Sequence, residues 1–298
     1  MHLSLSNSVY HAMLHSIAIA ALFVAFACTS NGGFSFLMKA CTLVLLFLVT
    51  ILDLFTLRHK YLVACGKQPP GTDCHIDNGF RLYFAGSGGH TGELLQMLTH
   101  SPPTDNIHRI WVVCHGDETS RKRIIDWEDK RKSGKSLVSG YEIATIRRAR
   151  EVHQPWTTVP ISAILCAYDI YKVLTKGYPY RGTQGNSKET LSSNVAENDY
   201  PQVIVTNGPG TGLIIAGVAW LMKMFWRLPA RSCKVIFIES IARVKTLSLT
   251  GKLFYYTGIA TTMIVQHKAV GKKYGLDVVD MLTARELGNP GDDLFPGF

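Results

Sequence analysis

Charge is nearly absent from the first 57 residues of this 298-residue chain. Lys39 and Asp53 are the only Lys, Arg, Asp or Glu side chains there, so the formal net charge of +9 arises entirely beyond residue 57. An uncharged leading segment before a basic body is typical of a domain held against an anionic membrane face. We therefore expect residues 1–57 to anchor the protein to membrane lipids and the rest to form its globular body.

The cysteines lack the spacings that would indicate a disulfide framework or a zinc site. There are seven of them, an odd number, and no two form a Cys-x-x-Cys pair. Zinc-finger spacing, RRM-type aromatic signatures and a helix-turn-helix pattern are also missing, which argues against nucleic acid as a partner. No Asn-x-Ser/Thr sequon occurs, in keeping with a body outside the secretory lumen. We expect no metal and no cofactor.

Two apolar runs, residues 9–28 and 34–57, have the length of bilayer-crossing helices. A cleaved signal peptide is the alternative for the first run, since Ala25-Phe26-Ala27 resembles a cleavage site, but the preceding segment has no Lys or Arg. We predict one or two retained spans. Arg58, His59 and Lys60 follow the second run at once, and the positive-inside rule then places the body in the cytosol.

Beyond a linker at residues 58–77, short apolar runs alternate with helical patterns. Continuous runs rich in Val and Ile predict buried parallel strands, and the alternation predicts a doubly wound, Rossmann-like α/β domain over residues 78–267. Polar residues 177–200 interrupt the pattern and predict a flexible insertion. The predicted strands are 80–85, 109–114, 141–146, 202–206, 234–238 and 262–266, and the predicted helices are 91–100, 119–132, 160–176, 211–224 and 248–258.

A glycine-rich loop follows the first predicted strand and leads directly into a helix. Glycines allow a ligand close to the backbone, and a helix N-terminus favours an anion, so the loop predicts a phosphate or diphosphate site. The third glycine of the dinucleotide fingerprint and the Gly-Lys-Ser/Thr of a P-loop are both missing. A purely structural turn is the alternative. The residues of this loop are Gly86, Ser87, Gly88, Gly89, His90 and Thr91.

A second glycine loop, between a predicted strand and the helix 211–224, holds Asn207, Gly208, Gly210 and Thr211. If the two strands are parallel, both loops face one crevice at the carboxyl edge of the sheet, which favours a phosphate- or sugar-binding site over two structural turns.

Three ionisable residues are candidates for chemistry in that crevice. His90 lies in the first loop and can act as a general base or hydrogen-bond a diphosphate near neutral pH, although it can also be a simple capping residue. Glu239 ends a predicted strand, where solvated carboxylates without a function are equally common. Glu93 most simply complements the positive end of its helix. No Ser/His/Asp pattern, nucleophile elbow or zinc-ligand set stands out.

Ordered motifs across roughly residues 78–267 resemble a known family, the membrane-anchor subunit of the dolichol-pathway transferase that adds the second N-acetylglucosamine. Gly212 and Ala242 stand where that family is expected to have cysteines, and residues 268–298 lack its usual ending. The motifs that carry the resemblance are Gly86-Ser87-Gly88-Gly89-His90-Thr91-x-Glu93, Arg148-x-Arg150-Glu151-Val152-x-Gln154, Asn207-Gly208-Pro209-Gly210-Thr211, Ile238-Glu239-Ser240-Ile241-x-Arg243-Val244 with Leu247-Ser248-Leu249-x-Gly251-Lys252, and Val265-Gln266.

The resemblance implies the N-terminal half of a GT-B glycosyltransferase on the cytosolic face of the endoplasmic reticulum. A soluble partner chain would carry the UDP-GlcNAc site, and this chain, inactive alone, would recruit it and present the dolichyl-diphosphate-GlcNAc acceptor. The first loop would bind the acceptor diphosphate, with His90 or Glu239 as catalytic residues, and the tail 268–298 would be a place for partner docking. The alternatives are a self-sufficient membrane glycosyltransferase, for which the region after residue 267 is short, and a non-catalytic membrane scaffold.

Overall fold

The computed structural model describes residues 33–66, 80–99, 107–132, 140–151, 154–155, 157–176, 200–208 and 210–279. The chain divides into two compact units, residues 1–65 and 66–298. The predicted span 9–28, most of the linker 58–77, nearly all of the insertion 177–200 and the end of the tail beyond residue 279 lie outside the described residues.

The first unit is described by one long helix, α1 (Gly33–Gly66), which contains the predicted span 34–57. The side chains of residues 33–39 and 42 are not described. In the described ranges, no helix combines the length and apolar character needed to cross a membrane. The predicted anchor therefore stays a prediction.

The second unit is a seven-stranded sheet, in which every neighbouring pair is parallel and the strand order is β3-β2-β1-β4-β5-β6-β7. The order reverses between β1 and β4, which makes that pair the topological switch point of a doubly wound sheet. The strands are β1 (Phe80–Phe84), β2 (His108–Cys114), β3 (Tyr141–Ile146), β4 (Val203–Thr206), β5 (Lys234–Ile238), β6 (Thr262–Val265) and β7 (Asp277–Val278).

Helices cover both faces of the sheet, as the continuous apolar runs of its strands require. Apolar residues of α2 and α3 pack in one core cluster with Tyr83, Trp111 and Ile236. The other cluster joins residues of α4 to α7 to Leu82, Val112 and Phe237 on the opposite face. The helices are α2 (Gly89–Thr99), α3 (Glu118–Lys132), α4 (Val159–Thr175), α5 (Gly210–Met224), α6 (Leu249–Thr257) and α7 (Lys268–Tyr274).

The Rossmann-like fold class is confirmed, and each of the six predicted strands and five predicted helices is present within two residues of its predicted ends. The sheet also continues past residue 267, because α7 leads into β7, which pairs with β6. Residues 268–278 thus belong to the sheet domain, not to a separate tail. Neither element was predicted, because α7 is a short helix and β7 has only two residues.

Candidate functional site

The two glycine loops meet at the switch point of the sheet. The first follows β1, the second follows β4, and these strands are neighbours in parallel register. Their backbones touch: a Cβ atom added to Gly86 would lie 3.1 Å from Gly208 Cα. A Cβ atom on Gly208 would lie 2.3 Å from Phe84 Cε1, so only glycine fits there. The two loops therefore lie side by side at the carboxyl edge of the sheet, and these two glycines allow their close approach.

The outer part of the first loop is open to solvent. Ser87, Gly88 and Gly89 are exposed, and Gly88 has a φ of +65°, a conformation that glycine adopts without strain. Helix α2 begins at Gly89, so its first N–H groups and the positive end of its dipole lie at this loop. Nothing lies within 4 Å of a Cβ atom added at Gly88 or Gly89. This part of the loop has the backbone and the space to accept a phosphate-sized anion.

Another predicted residue of the first loop, Thr91, makes its side-chain contacts within the fold. Thr91 is fully buried, and its hydroxyl donates to the Gly86 carbonyl and lies 2.7 Å from Ser120 Oγ. Any contact of Thr91 with an anion would have to come from its backbone N–H. The side chain thus shapes the loop rather than lining the outer surface.

In the second loop, buried Asn207 uses its Nδ2 atom to donate to the His90 carbonyl, which ties the two loops together. The Thr211 hydroxyl accepts from Ala149 N at 3.3 Å. Gly210 is exposed at the start of α5, with nothing within 4 Å of an added Cβ atom. Of the four predicted residues in this loop, Gly210 is therefore the one that lies open beside a helix N-terminus.

His90 lies at the beginning of α2 and is partly exposed. Its Nδ1 atom is buried without a hydrogen bond, and the Glu93 Oε2 atom lies 3.4 Å away. This separation makes the pair an electrostatic contact rather than a close hydrogen bond. Since the buried nitrogen faces a carboxylate, the partly exposed ring is held at the edge of the crevice.

Glu93 joins three segments of the domain. Its Oε1 atom accepts from Ile241 N, after β5, and from Gln266 Nε2, after β6, at 2.7 Å. Burial alone would raise the pKa of Glu93, but the contacts with His90, Ile241 and Gln266 together hold that pKa below its ordinary value. Glu93 is thus an ionised carboxylate that fastens the first loop to the carboxyl ends of β5 and β6.

Glu239 is buried, with 3% of its surface exposed, and it stabilises the entry to α6. Its Oε2 atom accepts from Ser248 N at 2.9 Å and Ser248 Oγ at 3.0 Å, while Ser248 caps α6 by accepting from Gly251 N. A Cβ atom on Gly251 would lie 2.1 Å from Glu239 Oε2, which explains why position 251 is a glycine. In this arrangement the Glu239 carboxylate stabilises the start of α6. Contrary to the prediction, it is not open to the crevice.

The basic motif after β3 is also tied into the fold. Arg147 forms two 2.7 Å contacts with Asp169, and Arg148 lies 3.9 Å from Asp117. The Gln154 side chain links this segment to Thr158 and Ser162 at 3.0 Å each. From the other basic runs, Arg123 donates to the Gly88 carbonyl at 3.0 Å, which places one cation directly beside the first loop.

The two loops and His90 are recognisable in the sequence, whereas the contacts that Glu93 and Gln266 make are not. Both residues contact partners more than 140 positions away in the chain, Ile241 for Glu93 and Glu93 for Gln266. The only sequence signal was their membership in ordered motifs. Among the described residues, no cluster of three or more His, Cys, Asp or Glu side chains could hold a metal ion.

Comparisons with known proteins agree on one family. The profile described as "Oligosaccharide biosynthesis protein Alg14 like" matches residues 81–279. The protein of Debaryomyces hansenii named "UDP-N-acetylglucosamine transferase subunit ALG14" is 32% identical over 193 residues, which cover 65% of this chain and 71% of that protein. The human protein of the same name is 29% identical over 200 residues, covering 65% of this chain and 77% of its own length. No solved structure gives a significant match.

Proposed function

The chain belongs to the family of Alg14-like oligosaccharide biosynthesis proteins, and we propose that it is a non-autonomous subunit of a UDP-N-acetylglucosamine transferase. In this role it presents a lipid-diphosphate sugar acceptor, dolichyl-diphosphate-GlcNAc, to a soluble subunit that binds UDP-GlcNAc. The single observation that carries the proposal is the meeting of two glycine loops at the switch point, with His90 beside the open helix N-terminus.

The acceptor diphosphate fits the exposed part of the first loop. The N-terminus of α2 supplies backbone N–H groups and a positive dipole, and the loop residues Ser87, Gly88 and Gly89 leave room for an anion. Arg123, which donates to the Gly88 carbonyl, adds a positive charge nearby. We assign diphosphate binding to this loop and a supporting role to the open end of α5 at Gly210.

His90 is the better of the two predicted bases. Transfer requires the acceptor hydroxyl to lose its proton as it attacks the donor sugar and UDP departs. His90 is partly exposed at the loop, whereas Glu239 is buried and its carboxylate already accepts hydrogen bonds from Ser248. His90 would take the proton, and the ionised Glu93 beside its Nδ1 atom would hold the ring in place and offset the charge that forms.

We place the protein at the endoplasmic reticulum membrane with its sheet domain in the cytosol. The apolar runs 9–28 and 34–57 supply the anchor, and the cations directly after the second run favour this orientation. Between Leu43 and Leu54, helix α1 exposes eight large apolar side chains, which suits an apolar surrounding. Residues beyond 279 remain a proposed place for partner docking.

Reconstituted transfer tests the proposal. Radiolabelled UDP-GlcNAc is supplied to dolichyl-diphosphate-GlcNAc in vesicles with the full chain alone, the soluble subunit alone, or both together. We expect a disaccharide-lipid product only from the pair. Transfer at full rate by this chain alone would contradict the subunit role and support a self-sufficient enzyme. Full transfer by the soluble subunit alone would show that this chain is at most a scaffold.

A further inference from the structure

The segment after β5 lacks negative charge over a long stretch. No Asp or Glu occurs in residues 240–276, whereas six Lys or Arg residues do: Arg243, Lys245, Lys252, Lys268, Lys272 and Lys273. Of the two acidic residues that border this stretch in the sequence, Glu239 is buried against Ser248 and Asp277 is exposed. All six charged side chains of this stretch are therefore positive, and a partner with acidic side chains complements them.

Apolar side chains are exposed among these cations. Leu249, Leu253 and Tyr256 recur at helical spacing on one face of α6, with 74%, 41% and 76% of their surfaces exposed. Ile241 and Val244 are exposed on the loop that precedes the helix, next to exposed Arg243 and Lys245. Residues 241–256, which we name the β5–α6 surface, thus combine an apolar centre with a basic rim, as protein interfaces do.

The loop part of the β5–α6 surface is held in position at both ends. At its start, Ile241 N donates to Glu93, and Ile241 O lies 2.6 Å from His267 Nε2. At its end, Ser248 donates to Glu239 and caps α6. Because the backbone is already fixed, the exposed side chains can contact a partner at little cost in conformational entropy. The other oxygen of the Glu93 carboxylate lies 3.4 Å from His90 Nδ1, so Glu93 links this surface to His90.

Two features favour a protein over a lipid bilayer as the occupant. Residues 240–248 form neither helix nor strand, and the polar groups of irregular backbone are poorly satisfied by hydrocarbon but readily paired by another polypeptide. The loop also lies at the carboxyl edge of the sheet, where the crevice opens and where a donor-binding half has to approach.

We propose that the β5–α6 surface docks a second protein chain whose contacting face is acidic and apolar. The proposal rests on the proposed function, in which that chain is the soluble UDP-GlcNAc-binding subunit. Docking beside Ile241 would place the partner against the loop that Glu93 already holds, next to His90. Assembly would thereby bring the donor pocket to the candidate base.

The experiment uses the full-length chain in nanodiscs that contain phosphatidylserine, together with the soluble subunit that supports transfer with the wild type. One variant combines Arg243→Glu with Lys245→Glu, and a second carries Val244→Asp. The matched control combines Lys122→Glu with Lys130→Glu, which reverses two exposed charges on α3, in the opposite helical layer. A photo-cross-linking residue is placed at Val244 in one sample and at exposed Gln96 in another.

We expect both surface variants to weaken partner binding by about tenfold or more, with unchanged melting temperature, and the control to bind within about twofold. The photo-residue at position 244 should cross-link to the soluble subunit, and that at position 96 should not. Partner binding within about twofold of wild type for both surface variants overturns the proposal, as do cross-links from position 244 to lipid alone. If the wild-type chain itself fails to assemble or to support transfer, the proposed function fails and takes this proposal with it.

Discussion

His90 Nδ1 and Glu93 Oε2 lie 3.4 Å apart, one helical turn along α2, and the histidine nitrogen is buried without a hydrogen bond. The same carboxyl group accepts from Ile241 and Gln266 through its other oxygen. One carboxylate therefore faces the proposed base and also fastens two distant loops. This relationship makes the shape of the crevice depend on the charge of Glu93.

Replacing His90 by alanine should reduce transfer by about 100-fold or more, because a positioned general base contributes on that scale. The partly exposed side chain contributes little to the core, so we expect the melting temperature and partner binding to change little. Initial rates of the reconstituted pair measure the effect, and thermal unfolding provides the control. A rate within about threefold of wild type would remove His90 from the chemistry.

The substitution Glu93→Gln should make the free energy of unfolding less dependent on pH in the acid range. The pKa of Glu93 is lowered in the folded protein from an ordinary value of 4.5, so its stabilising contribution is complete above pH 4.5 and is lost as the pH falls through the lower folded value. The variant lacks this group, and it should be less stable than wild type at pH 7 by a margin that shrinks below pH 4.5. Urea unfolding from pH 7 to pH 3 measures the margin, and a constant difference would contradict the prediction.

Gly88→Ala and Gly89→Ala form a matched pair in the first loop. Neither added Cβ atom meets a neighbour within 4 Å. Gly88 has a φ of +65°, however, whereas the φ of Gly89 is not positive. We expect Gly88→Ala to cost about 1–2 kcal/mol of stability and to raise the KM for the acceptor, whereas Gly89→Ala should change stability by less than about 0.5 kcal/mol. Denaturant unfolding and acceptor titration measure both. Equal stability losses would contradict the role assigned to φ.

The capping unit at α6 should be sensitive to small changes. Ser248→Ala removes the cap and a partner of Glu239, for which we expect a loss of about 1–2 kcal/mol. Gly251→Ala places a methyl group against Glu239 Oε2 and should destabilise at least as much. Thr257→Ala, at the exposed end of the same helix, is the control and should have little effect. Chemical unfolding of the three variants decides the order.

Two buried thiols should resist alkylation in the native protein. Burial raises the pKa of Cys166 to about 12 and that of Cys233 to about 11. The reactive thiolate is therefore scarce at pH 8, and both sulfur atoms lie in the core. Mass spectrometry after iodoacetamide treatment should find these cysteines unlabelled until guanidinium is added. Rapid labelling without denaturant would show that α4, or the segment that leads into β5, opens readily.

Most of the fold followed from local patterns. Continuous Val- and Ile-rich runs at 109–114 and 234–238 indicated strands buried on both faces, and the glycines after residues 84 and 206 marked the turns into α2 and α5. The final strand β7 was not predictable, because two residues carry no periodicity and the pairing with β6 exists only in the assembled sheet.

The candidate site also has a part that is recognisable in the sequence and a part that only the fold creates. Its glycines and His90 stand out in the sequence, because the φ of Gly88, the close approach of Gly86 and Gly208 and the end of a helix each demand a recognisable residue type. The assignment of Glu239 to the crevice illustrates the opposite case. A carboxylate at a strand end can face solvent or cap a neighbouring helix, and only the fold brings Ser248 against it.

The sequence by itself determined the class of sheet, the two loops suited to anions and the order of motifs, because each depends on residues close together in the chain. Tertiary structure alone decided that the Glu239 carboxylate binds to the cap of α6, and that Glu93 and Gln266 meet at the loop that contains Ile241. The Glu93 contacts join residues separated by more than 140 positions. Contacts of that range depend on the packing of strands that are not neighbours in sequence, which no local pattern encodes.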